Sequence, residues 1–196
     1  MELHQIYRHS DGQGQMESDP YRFCPLCGQP LAAALIDHTS RQTCAGCGYI
    51  HFRNPAPTIS LFIIEGNRVL LGKRSSPFGA DSWATPSGYV EFGEDYLSAA
   101  LREAREETGL DIGVDGILNV TDSIFPPGQH FLNIYLLAHV SGGQMQAGDD
   151  VSELGWFPLA GPFPEMAFTE DLDMIALFNR PDRPLIPVEL KSLSDR

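Results

Sequence analysis

Basic residues are scarce in this chain of 196 residues: 13 Lys and Arg stand against 26 Asp and Glu, a net charge of −13. That balance disfavours an extensive nucleic-acid surface or an anionic lipid surface as partner. It also means that an anionic substrate needs local help, from a metal ion or a few placed arginines. Long apolar runs are missing too, since none approaches the ~18 residues of a membrane span. Residues 1–20 are polar and acidic, with no apolar signal region. The expectation is a soluble, cytoplasmic protein with no membrane contact. Apolar residues as such are not lacking. At 42% hydrophobic the chain can bury a core, which excludes global disorder. The length suits one domain, or one domain with a small module.

Four expected segments follow along the chain: a flexible lead-in over 1–20, a Cys- and Gly-rich module over 21–55, a main domain over 56–180 and an extended tail over 181–196. The module is short of apolar runs and cannot hold itself together by packing alone. Asn54-Pro55-Ala56-Pro57 reads as a stiff connector. β-Branched and apolar residues predict strands over Thr58–Ile64 and Val69–Leu71, then Ile117–Asp122, His130–Val140 and Leu154–Phe157. Leu97, Ala100, Leu101 and Ala104 recur at helical spacing, which predicts a helix over Asp95–Thr108 stopped by Gly109. A second helix is expected over Thr169–Phe178. Pro181, Pro184 and Pro187 then keep the tail extended. Strands mixed with two helices imply an α/β fold, a mixed sheet flanked by helices.

The four cysteines come as two CxxC pairs, Cys24/Cys27 and Cys44/Cys47, separated by sixteen residues. Each pair sets two thiolates on a tight turn, and four soft sulfurs close a tetrahedron suited to a structural Zn²⁺. Gly28 and Gly48 follow the second cysteine of each pair and suit such turns. Two disulfides or free thiols are the alternative. Disulfides are rare in cytosolic proteins, and the segment has no core without a metal. His38 and His51 are expected at the surface or behind the ligands, because four sulfurs fill the shell.

The acidic helix breaks a local rule. At about 100° per residue, with Glu103 at zero, Glu107 falls at about 40° and Glu106 at about −60°. The three carboxylates share one face, expected to point to solvent, while Leu97, Ala100, Leu101 and Ala104 take the core face. Like charges at this spacing cost a helix about 0.2–0.5 kcal/mol per pair. Either the face is simply solvated, with ion pairs to Arg102 and Arg105, or it binds a cation. Clustered hard oxygens suit Mg²⁺ or Mn²⁺, with substrate phosphates completing the shell.

Gly88 to Leu110 as a whole resembles the Nudix box, GX5EX7REUXEEXGU with U apolar, and every fixed position matches. The strand Val69–Arg74 and the approach Trp83-Ala84-Thr85-Pro86-Ser87 are similar to those flanking the family's box. The resemblance covers about residues 57–180. The preceding ribbon is similar to that of a Nudix subgroup holding NADH, ADP-ribose and plastid-type FAD pyrophosphatases. It implies an α/β/α sandwich preceded by a zinc ribbon, and hydrolysis of a nucleoside diphosphate linked to a group X. By position, it makes Glu103, Glu106 and Glu107 the ligands of Mg²⁺ or Mn²⁺, with the backbone oxygen of Ser87 or Gly88. Glu94 becomes a water-mediated ligand or helper base. Arg102 is expected to pair with Glu91 or Glu94. A general base on a later loop is sought among Asp149, Asp150 and Glu153, with Glu153 preferred.

The SQPWPFPxS sequence of NADH pyrophosphatases is absent. Pro126, sixteen positions beyond Leu110, is similar in placement to a proline of ADP-ribose pyrophosphatases. Ala167-Phe168 and its surroundings look like the FAD enzymes. Substrate contacts are expected from Arg74, Tyr89, Phe125 and Phe168, with Phe131 a further stacking candidate. The expected function is metal-dependent hydrolysis of ADP-ribose or FAD to AMP and X-phosphate. NADH or nucleotide-capped RNA hydrolysis, or a non-catalytic Nudix ligand sensor, are the alternatives. The intact acidic set stands against the sensor. The partner is thus a nucleotide-type small molecule. Zinc ribbons also stabilise or dimerise proteins, so a homodimer belongs among the expectations.

Overall fold

The structure is a computed structural model and describes residues 21–76, 79–125, 129–183 and 185–188. Residues 1–20, Pro126 and Pro184, with the expectations placed on them, lie outside that set. The chain divides into two compact units, one of residues 57–122 and 132–188, the other of 21–56 with 123–131. Among the described residues no helix is long and apolar enough to cross a membrane.

In the smaller unit the sequence patterning misses a hairpin. β1 (Ala32–Ile36) pairs antiparallel with β2 (Thr39–Thr43). Asp37 and His38 make its turn with φ of 47° and 66°, the double positive φ of a tight hairpin turn. His38 is exposed there. No side chain of either strand is fully buried, so hydrophobic alternation, the signal strand prediction depends on, is lacking.

In the larger unit the strands run β3 (Ala56–Glu65), β4 (Arg68–Arg74), β5 (Trp83–Ala84) and β6 (Ser87–Tyr89), then α1 (Tyr96–Thr108). β7 (Leu110–Phe125), β8 (Gln129–Gly143), β9 (Val151–Pro158), α2 (Thr169–Phe178) and β10 (Ile186–Pro187) follow. The mixed sheet has the order β10-β7-β8-β3-β4-β5, with β6 on β3 and β9 on β4. A parallel bridge joins Trp83 to Met166. The observed strands are longer than the predicted ones, because pairing continues past the apolar stretch. The tail differs from expectation in one respect: Ile186 and Pro187 pair with Ile117 and Gly116.

Strand alternation explains the layers. Ile59, Leu61 and Ile63 of β3, Leu70 of β4 and Leu136 and Ala138 of β8 pack with Ala99, Ala100 and Ala104 of α1. The intervening Phe62, Val69, Leu71, Tyr135 and Leu137 pack instead with Met174, Ile175 and Leu177 of α2. One helix therefore covers each face, an α/β/α sandwich. Each fully buried Leu, Ile or Phe side chain contributes about 1.5–3 kcal/mol. Helix α1 starts at Asp95, whose carboxylate accepts the N–H groups of Leu97 and Ser98 at 3.0 Å. It ends at Gly109 with φ of 70°, a backbone angle that favours glycine.

Candidate active site and metal-binding cysteines

The two CxxC turns are built alike. Gly28 donates to the Cys24 carbonyl and Gly48 to the Cys44 carbonyl, each at 2.9 Å. Both glycines have left-handed φ, 73° and 76°. Cys24 N–H donates to Gln29 O at 2.7 Å and Cys44 N–H to Tyr49 O at 2.8 Å. All four Sγ atoms lie within 4.8 Å of one another, with Cys24–Cys47 at 3.5 Å and Cys27–Cys44 at 3.4 Å. These spacings are too long for disulfides. They approach the ~3.8 Å edge of a tetrahedron with ~2.3 Å metal–sulfur bonds.

Backbone donation from Cys47 pulls the Cys44 thiol down to about 7. Cys27 receives a backbone hydrogen bond from Gln29, yet its contacts with Cys44 and Cys47 carry it up to about 12. The neighbouring sulfurs thus act unequally, favouring the thiolate at Cys44 and opposing it at Cys27. His51 is half-buried, 4.6 Å edge-on from the Tyr21 ring, and not among the clustered ligands.

In the larger unit the acidic face of α1 is not solvent-facing as expected. Glu103 and Glu107 are only 7% and 3% exposed, whereas Leu101, assigned to the core face, is 39% exposed. The reason is the segment around Ser87, which meets the helix on its acidic side. Ser87 N–H donates to Glu107 Oε2 at 2.9 Å. At Gly88 a Cβ would lie 1.9 Å from Glu103 Oε1, so the missing side chain makes room for the carboxylate. Burial pushes Glu107 up to about 9, against the opposing pull of Ser87 N–H and with the added repulsion of Asp150. Burial also raises Glu103, while Arg102 draws it down.

Arg102 gathers the rest. Its guanidinium donates to Glu94 (2.9 and 3.0 Å), Glu103 (2.7 Å), Glu106 (2.9 Å) and the Tyr89 carbonyl (3.0 Å). Of the two expected partners, Glu94 is thus the one found, and the arginine holds it below the ordinary carboxylate range. Glu106 is exposed.

The later acidic loop arrives by backbone bonding. Gln144, Gln146 and Gly148 donate to the carbonyls of Gly109, Thr108 and Glu107 at 3.2, 2.8 and 3.2 Å. These are carbonyls that the end of a helix leaves unsatisfied. The docking brings Asp150 into contact with Glu107 and within 3.6 Å of Arg74. Asp149 is exposed, and Glu153 is exposed on β9 opposite Lys73. Arg74 lies over the Phe168 ring at 5.3 Å, so two expected substrate contacts do meet. Tyr89, the residue after Gly88, is 50% exposed. The Phe125 side chain and its expected contact lie outside the described residues.

A third buried carboxylate went unread in the sequence. Asp171 of α2, 1% exposed, accepts from Thr85 N–H at 2.9 Å, Thr85 Oγ1 at 3.0 Å and Tyr135 OH at 3.0 Å. Burial, partly offset by Thr85, lifts it to about 6. One signal was available: Asp171 sits at helical spacing from Met174 and Ile175, on the stripe that packs inward.

A profile described as NUDIX domain matches residues 54–178, and one for the Nudix N-terminal zinc ribbon matches residues 22–53. An ADP-ribose pyrophosphatase of Methanocaldococcus jannaschii is 36% identical over 124 residues, 63% of this chain and 71% of that one. A NAD-capped RNA hydrolase NudC of Stutzerimonas stutzeri is 30% identical over 138 residues, 70% of this chain. The match spans about half the length of that relative, 48%. A Nudix hydrolase structure from Nitrosomonas europaea superposes with a TM-score of 0.71 at 22% identity, covering 85% of this chain and 96% of that one.

Proposed function

The chain belongs to the Nudix family, and from that premise we propose that it is a divalent-metal-dependent pyrophosphohydrolase of a nucleoside diphosphate linked to X, with ADP-ribose or FAD as substrate. The observation that carries this is the buried acidic cluster at Ser87-Gly88, where Glu103 and Glu107 converge on one short peptide segment. A hard-oxygen set of this kind fits Mg²⁺ or Mn²⁺. Glu103, Glu106, Glu107 and the carbonyl of Ser87 or Gly88 would hold the ion. Bound there, it would offset the charge of the diphosphate and acidify water.

The protein's own groups supply the rest. Asp150, in contact with Glu107, is the better candidate than Glu153 for taking the proton of the attacking water. Arg74 bonds phosphate or stacks with the substrate from its place on Phe168, a local positive charge in an acidic chain. Arg102 orients Glu94 and the loop before the helix. Water attacks one phosphorus, the bond from that phosphorus to the bridging oxygen breaks, and AMP leaves together with X-phosphate. The four cysteines would hold one structural Zn²⁺, closed to substrate.

ADP-ribose, FAD, NADH and NAD-capped RNA, each offered with Mn²⁺, provide the test. AMP with ribose 5-phosphate or FMN is the expected product. In heavy-oxygen water the label should enter a phosphate. Label on a sugar carbon would sink the reading, and turnover confined to NADH and capped RNA would move the substrate to that class.

A further inference from the structure

The segment leading into the acidic cluster is held along both edges. On one side Ala84 stands opposite Gly72 of β4 and Ser87 opposite Ser60 of β3, and Leu61 N–H donates to Pro86 O at 2.7 Å. On the other, alternate N–H groups find three acceptors. Trp83 donates to Glu165 O at 2.8 Å, Thr85 to Asp171 Oδ2 at 2.9 Å and Ser87 to Glu107 Oε2 at 2.9 Å. Two carboxylates, one from each helix layer, thus do the work of a neighbouring strand. A buried carboxylate persists only where its oxygens are hydrogen-bonded. Asp171 accepts three hydrogen bonds from two residues, Thr85 and Tyr135.

We propose that Asp171 is a positioning residue for hydrolysis: by gripping Thr85 it fixes the Ser87-Gly88 peptide against Glu107 and Glu103, and so sets the divalent-metal affinity of the site from the opposite helix layer. This rests on Glu103 and Glu107 being metal ligands, as proposed above. Groups that orient metal ligands from behind typically change affinity about 10–100-fold when removed.

Mn²⁺ binding to the full-length, zinc-loaded protein is measured by titration calorimetry, alongside Mn²⁺ activation of turnover and thermal melting. Asp171→Asn should weaken Mn²⁺ binding about tenfold or more. The Mn²⁺ concentration for half-activation should rise in step, with KM for substrate at saturating Mn²⁺ unchanged. Thr85→Val, which loses only the Oγ1 bond, should shift affinity less and in the same direction. Tyr135→Phe disturbs the same network without touching Thr85, so it should lower the melting temperature and leave Mn²⁺ affinity unchanged. Wild-type Mn²⁺ affinity in Asp171→Asn overturns the proposal, as does an equal shift in Tyr135→Phe. If Asp171→Asn does not fold, unchanged affinity in Thr85→Val overturns it. Glu107→Gln separates the two readings. Lost binding there with none lost in Asp171→Asn sinks this proposal alone, and retained binding in Glu107→Gln sinks the metal reading and this one with it.

Discussion

Glu103 occupies the space that a side chain at Gly88 would fill, 1.9 Å from where its Cβ would stand. Gly88→Ala should therefore displace the carboxylate or the segment, whichever yields first. The expected outcome is a folded protein with turnover reduced by at least 10²-fold, since a lost ligand removes both charge neutralisation and water activation. Melting and hydrolysis measured on the same preparation check this, and normal turnover would exclude Glu103 from the site.

Glu107 makes a prediction with a sign. Its folded value, about 9, lies far above the ordinary 4.5. Below the ordinary value the carboxyl is neutral in both states and costs nothing. As pH rises toward 9 the folded protein keeps a proton that the unfolded chain releases, so stability falls across that window. In protein freed of Mg²⁺ and Mn²⁺, Glu107→Gln should remove this slope and melt higher than wild type at pH 8; with Mn²⁺ restored, its turnover should be lower by orders of magnitude. Parallel melting curves for the two proteins from pH 5 to 9 would defeat the assignment.

The two acidic candidates for proton transfer are separable. Asp150→Asn should lower kcat by about 10²–10⁴-fold, because Asp150 touches Glu107. Glu153→Gln should change kcat less than twofold. A reversed order returns the role to Glu153.

Arg105 is the control on the same helix. Its partner is Asp111, and the side chains are 62% and 44% exposed. Exposed pairs contribute about 0–1 kcal/mol, so Arg105→Gln should leave turnover intact and shift melting by a degree or two at most.

The cysteine quartet predicts one zinc per chain by elemental analysis of protein purified without added metal. Cys24→Ser should abolish that zinc and unfold the β1–β2 hairpin, none of whose side chains is fully buried. Full structure in zinc-free protein would remove the claim.

Much of this was legible in the residues. The CxxC spacing and the 23-residue box are local patterns, and each reports on groups brought together by one turn or one helix. The helix ends at Asp95 and Gly109 are likewise local. What failed was anything decided by a distant segment. The helical wheel placed Glu103 and Glu107 beside solvent because it contains no information about residue 87. Asp171 meets Thr85 across 86 positions, and no period within α2 announces a partner in another element. Asp150 lies beside Glu107 where Gln146 and Gly148 bond to the end of α1, a placement that spacing along the chain does not reveal. The β1–β2 hairpin was invisible for the opposite reason, since its strands bury too little to leave an alternation.

Arg102 spreads one guanidinium over Glu94, Glu103, Glu106 and a backbone oxygen. The acidic face of α1 therefore carries its own counter-ion, covalently attached and always charged. On the proposed reading, a divalent ion at Glu103 and Glu106 would compete with this internal cation and not simply fill an electrostatic vacuum. That competition would lower the ion's affinity, while in the ion-free chain the arginine offsets the mutual repulsion of Glu94, Glu103 and Glu106.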